Sequence, residues 1–253
     1  MPELVKKKKM GKNRLFLLTN DDGIDAVGLR KLAEMTVKLG EVVIVAPDSQ
    51  CSAMSQRITL RTPFCLKKVD YGLKNVTAYS IGGTPADCVK VAFSYLKLKP
   101  DYVFSGMNYG INTGFDIAYS GTVSAAFESV MNHVPAIAFS NEMGDMYEVS
   151  GKYMLEITKK ILAENPSYDS VYNVNFPGCT LEECSGILYD RKVAKVQYYL
   201  DSYGEDKNDE GCLKIFEKGI PQSKDIAEQG TDLRAVLDKY VSVGKVKCSV
   251  MCD

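Results

Sequence analysis

Histidine is nearly absent from this chain, with one residue, His133, in 253, and tryptophan is missing altogether. Histidine is the side chain most often used to move protons near neutral pH, so any catalysis here has at most one such candidate. His133 stands in Val130-Met131-Asn132-His133-Val134-Pro135, between a helix and a strand. There an imidazole serves the helix dipole, and no triad spacing accompanies it. No two of the eight cysteines are spaced Cys-x-x-Cys, so zinc-ribbon spacing is missing. A Gly-x-x-x-x-Gly-Lys phosphate loop is lacking, as is a Gly-x-Gly-x-x-Gly turn after the first strand. The N-terminus has no apolar signal core, and no apolar run approaches the length of a membrane span. Net charge is −1, from 31 basic and 32 acidic residues, without the basic excess of a nucleic-acid binder. These absences point to a cytoplasmic protein with reduced thiols that binds neither membranes nor nucleic-acid polymers.

What is present is a regular alternation. Residues 1–13 form a basic tail containing Lys6-Lys7-Lys8-Lys9, read as a solvated segment. A single domain follows over residues 14–253. The short apolar runs Arg14–Thr19, Val42–Ala46, Tyr102–Ser105, Ala136–Phe139 and Val171–Asn175 read as buried strands. Segments 58–69 and 76–81 read as extended. Helical periodicity falls on residues 29–39, 85–96, 120–131 and 154–162, with Thr84 as an N-cap before Pro85. Strand, helix and strand over about 30 residues make a βαβ unit. Its repetition predicts a doubly wound α/β fold with a mostly parallel sheet. The pattern loosens between about residues 178 and 230, which read as a β-hairpin excursion. A helix at 231–237 and a strand at 240–243 close the chain.

In such sheets ligands bind beyond the carboxyl ends of the strands. The residues there are Asn20-Asp21-Asp22-Gly23, Pro47-Asp48-Ser49-Gln50-Cys51-Ser52 and Ser105-Gly106-Met107-Asn108-Tyr109-Gly110. Asp-Asp-Gly by itself is a common turn. After a buried strand and opposite two more polar loops, the pair Asp21 and Asp22 reads instead as a site. Two adjacent carboxylates need solvent, a base or a cation to stabilise both charges. Ser52 and Asn108 add neutral oxygens, and an all-oxygen set suits Mg²⁺, Mn²⁺ or Ca²⁺ rather than Zn²⁺. A second feature is Tyr119-Ser120-Gly121-Thr122-Val123 at a helix start. It fits either an ordinary N-cap or a phosphate held by free N–H groups and the hydroxyls of Ser120 and Thr122. A metal beside an anion-binding helix start suggests phosphoryl chemistry, with an aspartate handling the water.

Six segments in order carry a family resemblance. They are Leu17-Leu18-Thr19-Asn20-Asp21-Asp22-Gly23-Ile24, Val45-Ala46-Pro47-Asp48 with Ser52, Gly83-Thr84-Pro85-Ala86-Asp87-Cys88-Val89, Ser105-Gly106-Met107-Asn108-Tyr109-Gly110-Ile111-Asn112, Tyr119-Ser120-Gly121-Thr122-Val123-Ser124-Ala125-Ala126 and Asn173-Val174-Asn175-Phe176-Pro177. From about Arg14 to Val243 the chain resembles the SurE survival-protein family of metal-dependent 5′/3′-nucleotidases. The resemblance implies a Rossmann-like three-layer sandwich whose C-terminal hairpin serves oligomerisation. It implies that Asp21, Asp22, Ser52 and Asn108 hold one divalent metal ion per subunit, Mg²⁺ or Mn²⁺, and that Asn112, Ser120, Gly121 and Thr122 surround the phosphate. Catalysis then rests on Asp21 and Asp22, the substrate is a nucleoside monophosphate, and the assembly is a cytoplasmic homodimer or homotetramer. Two positions depart from the family pattern: Val27 replaces a proline, and Cys51-Ser52-Ala53 replaces Arg-Ser-Gly. The second change leaves open a member that binds nucleotides without hydrolysing them. A receiver-like signalling module also carries an acidic pair after its first strand. It needs an aspartate where this chain has Ser105-Gly106-Met107-Asn108.

Overall fold

The computed structural model describes residues 14–206 and 213–251; the Lys6–Lys9 run lies outside them. The chain begins with β1 (Arg14–Thr19), α1 (Val27–Thr36), β2 (Gly40–Pro47), β3 (Leu66–Val69) and β4 (Val76–Ile81). Then come α2 (Pro85–Lys90), extended by a π-helical turn to Tyr95, β5 (Tyr102–Tyr109) and, after a 3-10 turn, α3 (Gly121–Met131). β6 (Ala136–Asn141), α4 (Glu148–Ala163), β7 (Ser170–Phe176) and β8 (Ile187–Arg191) follow. Four short strands come next, β9 (Tyr199–Leu200), β10 (Tyr203–Asp206), β11 (Lys214–Glu217) and β12 (Ile220–Pro221), before α5 (Asp232–Leu237) and β13 (Val241–Lys247).

Nine strands form one sheet in the order β3-β4-β2-β1-β5-β6-β7-β13-β8. The six from β4 through β7 run parallel, while β3 and β13 pair antiparallel with β4 and β7. Central strands are apolar along their length because helices cover both faces; all six residues of β6 are buried. On one face Phe16, Leu18, Ile44, Phe104 and Phe139 pack against Leu29 and Leu32 of α1 and Ile157 of α4. On the other, Leu17, Val45 and Val103 meet Cys88 of α2 and Val123 and Ala126 of α3. The edge strand β3 carries exposed Lys67 and Lys68, which discourage pairing with another sheet. The expected doubly wound, mostly parallel α/β fold is therefore what forms.

Some boundaries differ from expectation. Helix α4 starts at Glu148, six residues before the periodic stretch, because its first turns carry Ser150 and Gly151 rather than an apolar stripe. Of segment 58–69 only Leu66–Val69 is strand. β8 joins the main sheet beside β13, so the chain leaves that sheet only after Arg191. Beyond it, β9–β12 and β10–β11 make two small antiparallel pairs.

Strand order reverses at β1: β2 and β4 lie to one side, β5, β6 and β7 to the other. The cleft between the carboxyl ends of β1 and β5 is thus the switch point where such sheets bind ligands. An open depression of about 650 Å³ lies elsewhere, lined by Val37–Glu41 and Asn75–Thr77 where β2 and β4 begin. It is at the opposite end of the strands from the polar loops.

Candidate active site at the switch point

Asp21 and Asp22 follow β1 directly. The turn is set by Asn20, whose Nδ2 donates to Gly23 O at 2.8 Å, and by Ile24 N donating to Pro47 O at 2.8 Å. Asp21 is 4% exposed. Its Oδ1 accepts the Thr122 hydroxyl at 2.6 Å, and its backbone carbonyl accepts Cys51 N at 2.7 Å. Asp22 Oδ2 accepts Tyr109 N at 2.8 Å. Burial pushes the Asp21 carboxyl up to about 6, against the lowering effect of the Thr122 hydroxyl; the neighbouring Asp22 charge raises it further. Burial also raises Asp22, opposed by the Tyr109 N–H and the Gln50 side chain. Among the described residues neither carboxylate forms an ion pair. Among those residues nothing basic neutralises the pair, which is a concentration of negative charge.

Helix α3 comes down onto this pair. A Cβ on Gly121 would stand 3.0 Å from both Cβ and Oδ2 of Asp21 and 3.3 Å from Pro85 Cγ. Only glycine admits so close an approach of the helix start to the carboxylate. Ser120 is the N-cap, its Oγ accepting Val123 N at 3.1 Å. Ser120 thus caps the helix, and the carboxylate held at its mouth in this structure is that of Asp21, through Thr122.

Ser52 is exposed, next to the Cys51 amide that binds Asp21. The loop carrying it is strapped down at several points. Ser55 N donates to Tyr119 O at 3.0 Å, and Thr84 Oγ1 donates to Arg57 O at 2.5 Å. Thr59 N donates to the Asp87 carboxylate at 3.1 Å. Asn108 Nδ2 donates to Gly110 O at 2.8 Å, and among the described residues its Oδ1 has no hydrogen-bond partner. Near Asn108, β5 shifts its register against β6 between Ser105 and Asn108, and Gly106 takes φ +127°. A Cβ there would meet Phe139 O at 2.2 Å.

Asn112 is buried and fully gripped. Its N–H donates to Asn175 Oδ1 at 2.7 Å and its Nδ2 to Ser140 Oγ at 2.8 Å. Its carbonyl accepts Asn173 Nδ2 at 2.8 Å and Asn175 Nδ2 at 3.1 Å. Just beyond it, Gly114 N and Ala194 N donate to opposite oxygens of Asp232, and Phe115 N donates to Val196 O at 2.8 Å.

The structure thus gathers Asp21, Asp22, Gly121 and Thr122 through direct contacts. It sets Ser52, Asn108 and Ser120 on the adjoining loops and Asn112 at the loop that follows β5. His133 is exposed beyond the C-terminus of α3, an 11-residue helix, so it sits roughly 16 Å from the carboxylate end. Sequence reasoning left two groups without a role. Asp87 completes a capping box with Thr84 while pinning the Ser52 loop, and the Thr-x-x-Asp spacing signals it. Asn173 and Asn175 lie two apart on β7, so both point to one face, a signal legible from strand periodicity.

Fold and site together define an α/β enzyme of the doubly wound class, with its polar machinery at the switch point. The sequence pattern of the family described as "Survival protein SurE" matches residues 16–198. The chain is 43% identical over 237 residues to the 5′-nucleotidase SurE of Clostridium botulinum (strain ATCC 19397 / Type A), covering 90% of each chain. It is 39% identical over 237 residues to the 5′-nucleotidase SurE of Aquifex aeolicus (strain VF5), again with 90% coverage of each. The crystal structure of the SurE protein from Aquifex aeolicus superposes with a TM-score of 0.75 at 37% identity, covering 92% of this chain and 93% of that one. This chain belongs to the SurE family.

Proposed function

We propose that the chain is a metal-dependent phosphomonoesterase that hydrolyses nucleoside 5′-monophosphates, and 3′-monophosphates as well, to nucleoside and phosphate. The observation that carries this reading is the adjacent pair of buried Asp21 and half-buried Asp22, without an ion-pair partner among the described residues, beside a helix N-terminus. Its kinship with curated 5′-nucleotidases supports the substrate class.

The donor set fits a hard divalent cation. Asp21 and Asp22 supply the charge, Asn108 has an amide oxygen unpartnered among the described residues, and Ser52 is exposed with its hydroxyl. No thiol or imidazole joins this set of donors, which favours Mg²⁺ or Mn²⁺. Such an ion, when bound, supplies Lewis-acid stabilisation of phosphoryl charge and an acidified water. The chain's own residues do the rest. Thr122 orients Asp21 through its hydroxyl. The Gly121 N–H and the Ser120 hydroxyl face the end of α3 where a phosphate is favoured. Asn112, the further residue assigned to the phosphate, is held rigid by Ser140, Asn173 and Asn175. With His133 at the far end of α3, Asp21 and Asp22 are the groups left to manage the proton of the attacking water.

A homodimer or homotetramer is part of the same reading. Its support is the two small antiparallel pairs, where Tyr203, Ile215 and Phe216 are more than half exposed and Ile220 is exposed. Apolar surface of this kind suits an interface. Among the described residues no helix is long and apolar enough to cross a membrane, and a nucleotide substrate suits a cytoplasmic setting.

Phosphate release from a panel of nucleoside 5′- and 3′-monophosphates, with Mg²⁺ or Mn²⁺ and with EDTA, tests the activity. Turnover abolished by EDTA is expected. Absence of release from every substrate with either metal overturns the reading in favour of a nucleotide-binding protein without hydrolysis. Light scattering on the eluted protein tests the assembly.

A further inference from the structure

Tyr109 follows Asn108 at the end of β5, and its backbone N–H is bonded to Asp22 Oδ2 at 2.8 Å. Its own ring is half exposed. A large aromatic ring is thus fixed at the lip of the carboxylate site, anchored by its backbone while its side chain stays open. The loop between β6 and α4 brings two more apolar groups to the same lip. Met143 is 52% exposed and Met146 is 42% exposed. The Cβ position of Gly110 lies 3.7 Å from both Asn108 Nδ2 and Met143 Cγ, so Met143 and Asn108 both border Gly110. The loop is not loose at this point: Asn141 Nδ2 donates to Glu142 O at 2.9 Å and to Met146 O at 3.1 Å. Tyr147 closes the cluster from behind, with Lys31 Nζ 4.9 Å from its ring centroid.

A soluble protein gains nothing by holding a tyrosine and two methionines open to water beside a buried anionic site, unless something apolar is to cover them. Aromatic rings bind flat π-systems by stacking, and thioethers add polarisable contacts to ring edges. A nucleoside monophosphate carries such a π-system one sugar away from its phosphate. We propose that Tyr109, with Met143 beside it, is the platform on which the nucleobase of the substrate stacks, and that this platform sets the preference for nucleotides over other phosphate esters. The inference rests on the phosphomonoesterase reading above and adds the contact that selects the substrate. Stacking does not read hydrogen-bond patterns, so this platform accepts purines and pyrimidines alike and favours the larger purine ring.

The test compares AMP with ribose 5-phosphate, which keeps the sugar and phosphate and lacks the base. The readout is the ratio of kcat/KM for AMP to that for ribose 5-phosphate. A wild-type ratio well above ten is expected, falling about tenfold in Tyr109→Ala through KM for AMP. Tyr109→Trp retains the ratio, because the indole also stacks. Met143→Ala gives a smaller fall in the same direction. A ratio unchanged in Tyr109→Ala overturns the proposal, whether both substrates slow equally or neither does. So does a change of oligomeric state in Tyr109→Ala with the ratio intact, which would make the patch a subunit contact. A wild type that hydrolyses both esters equally well overturns the platform and leaves the phosphomonoesterase standing. A wild type that hydrolyses neither overturns the underlying reading.

Discussion

Replacing Asp21 with asparagine should abolish turnover and yet make the metal-free protein more stable. Asp21 is almost wholly buried and its carboxyl lies at about 6 rather than the ordinary 3.8. Holding it ionised at pH 7.5 therefore costs about 3 kcal/mol, at roughly 1.4 kcal/mol per pH unit. Asparagine is isosteric and still accepts the Thr122 hydroxyl. It exchanges a charge-assisted bond for a neutral one, which returns about 1 kcal/mol of the gain. The net expectation is a metal-free variant about 2 kcal/mol more stable, or a Tm some 4–8 °C higher for a chain of this size. The folded-state value is raised, so the wild type loses stability as pH rises from 3.8 through 6 and levels off above. The advantage of Asp21→Asn should accordingly be full at pH 7.5 and shrink as pH falls below 6. Thermal or urea denaturation in EDTA at several pH values, alongside phosphate release from AMP, measures both halves. A cation that binds only the folded wild type narrows the gap by mass action. An Asp21→Asn protein that is no more stable than wild type at pH 7.5 without metal would refute the account of Asp21 as an un-neutralised buried charge.

Four further outcomes follow from the same geometry. Gly121→Ala places a methyl 3.0 Å from Asp21 and 3.3 Å from Pro85; a displacement of a few tenths of an ångström should lower kcat about tenfold or more at a stability cost of about 1 kcal/mol, read by kinetics and Tm. Thr122→Val removes the hydroxyl that lowers Asp21, so the acid limb of the pH–rate profile should move to higher pH. Asn175→Ala leaves the buried Asn112 N–H unpaired, which should cost about 2 kcal/mol in denaturation and raise KM for AMP. Ala53 holds φ +55°, so Ala53→Gly should relieve left-handed strain and raise stability by about 0.5–1 kcal/mol, with phosphate release retained.

Much of the scaffold is visible in single segments. β1, β2, β5, β6 and β7 are buried on both faces, and their short apolar runs announce it. Thr84-Pro85 marks the start of α2 because capping and proline geometry are local. What is not legible is non-local. Thr122 sits 101 residues from Asp21, and nothing in either segment says that the hydroxyl is committed to that carboxylate. The place of β8 in the main sheet depends on pairing with β13, some fifty residues later. Helix α4 reads short because its first turns are small and polar. The site follows the same division: the acidic pair is conspicuous by position, whereas the grip of Asn173 and Asn175 on Asn112 emerges only once β7 lies beside β6. Sequence alone marks Tyr109 as one residue in a polar loop; its exposure beside Asp22 gives it meaning.

The bonds that hold the loop from Asn112 to Phe115 have a consequence for how the protein is made. Asp21 is synthesised long before the loop is complete, which requires Asn175, Ala194, Val196 and Asp232. At about 5–20 residues per second, roughly 10–40 s separate Asp21 from Asp232. Throughout that interval the nascent chain carries the acidic pair without the bonds that hold this loop. A stalled or truncated product ending before β7 therefore lacks both asparagines that grip Asn112.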